Sequence, residues 1–105
     1  MKIRHKFNAR PTTYDGIRFD SKKEANYYLS LKMLKKSGEV LFFRRQVPIM
    51  LPGNTKYVVD FQVFYTDDRV EHVDVKGYET PEFKLKKKQV EALYPFDIIV
   101  VWRLT

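Results

Sequence analysis

The chain has 105 residues, no cysteine and only two isolated histidines, His5 and His72; this suits one domain with a modest core and excludes disulfides, thiolate catalysis and Cys-based zinc sites. A hydrophobic fraction of 44% argues for a folded globule, and the lack of a long apolar run or an apolar leader argues against a membrane span and for a cytoplasmic location. The formal charge of +7 is concentrated in residues 1–36 and in the Lys84–Lys88 run, which favours a polyanionic partner such as nucleic acid over a merely soluble surface.

In chain order, residues 1–18 read as an irregular basic arm, with Lys6 and Arg10 available for DNA backbone and with Pro11 and Tyr14-Asp15-Gly16 marking turns. A helix is predicted from Asp20 or Ser21 to about Ser37. Gly38 stops it, and Lys35 and Lys36 fall in its last turn. At 100° per residue Tyr27, Tyr28, Leu31 and Leu34 share an apolar face, and Glu24 projects between Tyr28 and Leu31. Glu24 stands three residues after Ser21, so it can close a capping box as well as serve a site. The segment Val40–Leu51 is extended, with Pro48 placing it at a sheet edge or a break, and Pro52-Gly53-Asn54 turns the chain.

Two further strands follow, Tyr57–Tyr65 and Val70–Lys76, both rich in β-branched and aromatic residues with period-two alternation. Val59, Phe61, Val63, Val73 and Val75 form the apolar phases; Asp60 and Gln62, then His72, Asp74 and Lys76, form the polar ones. A two-residue loop at Asp67-Asp68 sets Asp60 opposite Val75. A three-residue loop, Thr66-Asp67-Asp68, or a bulge sets it opposite Asp74. The odd register is expected, because it keeps both apolar phases on one side. It brings two carboxylates to ~5 Å, a pairing that either a hard cation such as Mg²⁺ or ordinary solvation can relieve.

Gly77 ends that strand. Thr80-Pro81 then opens a second helix to about Tyr94, expected to bury Phe83, Val90, Leu93 and Tyr94 and to carry Lys84, Lys86, Lys87 and Lys88. The apolar run Asp97–Trp102 reads as a last strand covered on both faces. The predicted fold is a single α/β domain, a mixed α+β sheet in the order α-β-β-β-α-β.

Glu24 on the first helix, Asp60 on a strand and Asp74-Val75-Lys76 on the next, in that element order, resemble the PD-(D/E)XK nuclease superfamily with its restriction-endonuclease-like core. Phe7-Asn8-Ala9-Arg10, Tyr14 to Ala25, Asp74 to Gly77 and Lys84 to Lys88 are similar to a group of small phage-encoded endonucleases that includes Holliday-junction resolvases. Val59 stands where the family name has Pro, a change that removes no ligand.

The resemblance implies that Asp60, Asp74 and the Val75 carbonyl ligate Mg²⁺ or Mn²⁺, that Glu24 completes or extends the metal site, and that Lys76 orients the attacking water and stabilises phosphoryl charge. It implies a metal-dependent endonuclease acting on branched DNA, with a nicking or repair endonuclease of other structure preference, or a noncatalytic DNA-binding module, as the alternatives. Cutting two symmetric strands with one small domain then requires a homodimer, for which the Phe42, Phe43 and Met50 region is a candidate interface. Lys22 and Lys23 join the lysine run as expected phosphate contacts, and Gln46 is a possible accessory that positions water or DNA.

Overall fold

The structure, a computed structural model, describes residues 11–102. Within them the elements run β1 (Thr12–Tyr14), β2 (Ile17–Phe19), α1 (Lys22–Ser37), β3 (Val40–Leu51), β4 (Thr55–Tyr65), β5 (Val70–Val75), α2 (Pro81–Leu93) and β6 (Ile98–Val101). The expected α-β-β-β-α-β order is present from α1 onward, and the sheet is mixed, in the order β3-β4-β5-β6. β3, β4 and β5 are antiparallel neighbours, and the α2 crossover lays β6 parallel to β5.

The segment before α1 departs from the irregular arm expected there. Residues 12–19 form a hairpin whose two central residues, Asp15 (φ 53) and Gly16 (φ 74), both adopt the left-handed conformation of a type I′ turn. Asp-Gly was legible as a turn, but three-residue strands are too short to alternate visibly. The hairpin is tied to α1 by the Asp15 carboxylate, which accepts from the Tyr28 hydroxyl at 2.8 Å and pairs with Lys32, while Phe19 is fully buried beneath the helix.

Helix α1 follows its sequence signals. The Ser21 hydroxyl accepts from the Glu24 amide at 3.1 Å, and Gly38, at φ 90, sends its N–H to the Leu34 and Lys35 carbonyls. Helix α2 likewise starts with Thr80 accepting from the Phe83 amide and Pro81 in the first turn.

The β4–β5 hairpin closes in the odd register. Phe61 faces Val73 and Gln62 faces His72. The Tyr65 amide bonds the Arg69 carbonyl, the Asp68 amide bonds Tyr65, and Asp68 takes φ 74. This is a three-residue loop in which a turn is followed by one left-handed residue. Pro48 sits on β3, an edge strand.

The core lies in two parts. Helix α1 covers Phe61, Val63 and Val73, whereas α2 covers Tyr57, Val59, Ile49, Leu51 and Ile98. One inward phase of β4 therefore passes from the α2 core to the α1 core between Val59 and Phe61. Asp60 stands at that seam.

Two burial expectations fail. β6 is the other edge of the sheet and not a strand covered on both faces: Ile98 is buried, but Ile99 and Trp102 are 40% and 44% exposed, because no further strand or helix among the described residues covers them. Leu93, in the last turn of α2, points outward, while Phe83 and Val90 carry the helix's buried face.

Candidate functional site

The register puts Asp60 opposite Asp74, one step beyond the last regular pair, Phe61 and Val73. There the side chains take over from the ladder. The Asp60 amide donates to Asp74 Oδ1 at 2.9 Å, and the Val75 amide donates to Asp60 Oδ2 at 3.0 Å. Each carboxylate thus satisfies a backbone donor that strand pairing would otherwise use, and each is held in one orientation.

The other oxygens are poorly provided for. Asp74 is 1% exposed, and its Oδ2 is buried without a hydrogen-bond partner among the described residues. Among the described residues Asp60 Oδ1 receives only a long contact, 3.4 Å, from Gln46 Nε2. Gln46 faces Asp60 across the β3–β4 ladder, since Arg45 pairs with Phe61 and Val47 with Val59. The same Nε2 donates to Glu24 Oε2 at 3.2 Å, so Gln46 bridges the helix carboxylate and the strand carboxylate. Gln46 adopts φ 50, an unfavourable conformation for a side chain in mid-strand, of the sort that local contacts must hold in place.

Arg45 adds a guanidinium, 3.7 Å from Glu24 Oε2, and lies over the Phe19 ring at 4.5 Å. Sequence reasoning passed over Arg45. Its only signal was the polar run Arg44-Arg45-Gln46 inside an otherwise apolar strand.

Burial pushes the Asp60 and Asp74 carboxyls above the usual aspartate range, against the opposing amide hydrogen bonds and the charge of Lys76. Glu24 is pushed up to about 7, first by burial and then by the charge of Asp60, with Arg45 acting in the opposite direction. Three carboxylates therefore share a buried region in which Arg45 and Lys76 offset their charge only in part. An orphaned aspartate oxygen and an all-oxygen donor set fit a hard divalent cation. Among the described residues no three His, Cys, Asp or Glu side chains gather as a ready cage, so such an ion would rest on the aspartate pair, with Glu24 one hydrogen-bonded residue further back.

Glu24 does not simply close a capping box. Ser21 caps the helix, but the Glu24 carboxylate turns to Gln46 and Arg45. Val75, half-buried, is fixed through its amide by Asp60. Lys76 extends its ammonium over the Phe83 ring, 4.4 Å from the centroid, and acts on Asp60 and Asp74 through its field instead of pairing with Asp74. His72 packs: it stacks on Phe96 at 3.8 Å and meets Gln62 at 3.2 Å, and burial lowers its pKa.

The basic residues are dispersed. Lys22 and Lys23 are exposed at the start of α1, where Lys23 donates to the Trp102 carbonyl at 3.2 Å. Lys86 and Lys87 pair along α2 with Glu82 and Glu91, while Lys84 and Lys88 are exposed one turn apart. Lys6 and Arg10 lie outside the described residues. Of the proposed interface residues, Met50 is exposed, Phe42 stacks on Phe64 at 4.4 Å, and Phe43 packs against the α1 core. No helix of the described residues is long and apolar enough to cross a membrane.

No curated protein and no solved structure matches the chain. Residues 4–104 match a family model described as "Protein of unknown function (DUF1064)", and the chain belongs to that family.

Proposed function

We propose that this DUF1064 member is a metal-dependent, structure-selective DNA endonuclease with a PD-(D/E)XK-type core, which hydrolyses phosphodiester bonds in branched DNA as a Holliday-junction resolvase does. The observation that carries the reading is the opposed pair Asp60 and Asp74, cross-bonded to each other's strands, with Asp74 Oδ2 left without a hydrogen-bond partner among the described residues and within the field of Lys76.

In this reading Asp60, Asp74 and the Val75 carbonyl hold Mg²⁺ or Mn²⁺. The cation supplies Lewis-acid polarisation of the phosphate and a water nucleophile near neutral pH. Gln46 fixes the Asp60 and Glu24 carboxylates relative to each other, so that Glu24 extends the acidic site from α1. Lys76 provides positive charge for the phosphoryl oxygens as negative charge grows on them. Lys22, Lys23, Lys84 and Lys88 face solvent and contact neighbouring phosphates, with Lys86 and Lys87 exchanging their glutamates for phosphate.

Two cuts at a four-way junction call for a two-fold homodimer, and the proposed place of action is the cytoplasm of the host cell. The test is to offer four-way junction, flap, single-stranded and linear duplex DNA side by side in Mg²⁺. Preferential cutting of the junction is expected. Equal cutting of linear duplex refutes junction selectivity, and binding without any cutting makes the protein a noncatalytic DNA-binding module.

A further inference from the structure

A cleft of about 320 Å³ opens between the start of β4, the end of β5 and the first turns of α2. Lys56, Lys76 and Lys86 line it against a single carboxylate, Glu82. Phe83 forms part of the wall, with Lys76 Nζ over its ring and the Tyr57 ring 6.1 Å away.

Three ammonium groups around one cleft repel one another unless an anion joins them. The internal counter-charge is weak: Glu82 reaches only Lys86, at 3.6 Å, from a side chain 78% exposed, a setting in which ion pairs contribute little. Lys56 and Lys76 make no ion pair among the described residues. Tyr57, 7% exposed, forms part of the wall, and its hydroxyl is buried without a hydrogen-bond partner among the described residues. The cleft thus presents two cations, Lys56 and Lys76, without an ion-pair partner among the described residues.

Lys76 belongs both to this cleft and to the field around Asp60 and Asp74. An anion seated here therefore shares Lys76 with whatever phosphate meets the aspartates. We propose that the cleft holds the backbone phosphate next to the one being cut, with Lys56 and Lys86 as its main contacts. This rests on the nuclease reading and adds Lys56, which no sequence pattern had singled out. It gives the strand a path from the aspartates across Lys76 toward the N-terminal turn of α2, where the helix dipole also favours negative charge.

The test uses the full chain, a fluorescein-labelled four-way junction in EDTA, and binding measured across a salt series. Lys56→Ala and Lys86→Ala should each flatten the plot of log affinity against log salt by about 0.9 per protomer bound, one phosphate contact apiece, and the double variant by about twice that. A Lys35→Ala/Lys36→Ala control on the far turn of α1 should leave the slope unchanged. In Mg²⁺, replacing the linkage next to the cut by neutral methylphosphonate should weaken binding to the wild type but not to the double variant. An unchanged slope in the cleft variants, or an equal loss in the control, overturns the cleft assignment while leaving cleavage intact as a finding. A wild type that shows the lysine-dependent slope but cuts no DNA overturns the nuclease reading and keeps the phosphate site. Absence of DNA binding removes both.

Discussion

Asp74→Asn is expected to lower cleavage of a four-way junction by about 10³-fold or more, while junction affinity stays within a few-fold of wild type. The substitution is nearly isosteric, and its amide oxygen can still accept from the Asp60 N–H, so the contact that closes the β4–β5 seam survives. What is lost is the negative charge and the unpartnered Oδ2. Burial already disfavours the charged form at this position, so the metal-free variant should be at least as stable as wild type. Single-turnover cleavage, binding anisotropy and the melting temperature in EDTA together separate loss of chemistry from loss of fold. Retained cutting by the variant would sink the site assignment.

Lys76→Met is expected to reduce cleavage by about 10²–10³-fold, the usual scale for removing one group that stabilises transition-state charge. Met keeps an unbranched apolar stem against Phe83, so the packing of β5 on α2 persists and the melting temperature should move little. The charge that opposes the raised pKa values of Asp60 and Asp74 disappears. If Lys76 were only a surface lysine resting on an aromatic ring, the variant would cut at the wild-type rate. That outcome, measured under single-turnover conditions with saturating protein, removes Lys76 from the chemistry.

Much of this site was legible because its signals are local or periodic. Ser21, Gly38 and Thr80-Pro81 mark helix ends through hydrogen bonds that a few adjacent residues decide. The facing of Asp60 and Asp74 followed from demanding that Phe61 and Val73 bury on the same side, a constraint that excludes a one-residue slip. Gln46 was visible as a polar residue on an apolar strand, although not its left-handed backbone or its bridge to Glu24.

What escaped reading depends on tertiary placement. The three-residue strands of the Thr12–Phe19 hairpin gain their stability from Phe19 beneath α1 and from Asp15 on Tyr28, neither of which is a local pattern. Ile99 and Trp102 belong to an apolar run that suggests burial, yet their exposure is set by where the sheet ends. The sequence pattern identifies Lys76 but cannot say that its ammonium lies over Phe83, because a long side chain is directed by whichever helix packs beside it. The same packing makes Lys56, separated from Lys76 by 19 intervening residues, its neighbour across the cleft.

The most direct measurement is cleavage of a four-way junction by the wild-type chain in Mg²⁺, in EDTA, and in EDTA followed by excess Mg²⁺. Paired symmetric cuts in Mg²⁺, their loss in EDTA with binding retained, and their return on adding the metal are the results that the aspartate pair at Asp60 and Asp74 requires. Undiminished cutting in EDTA, or tight binding with no cutting in either Mg²⁺ or Mn²⁺, would contradict it.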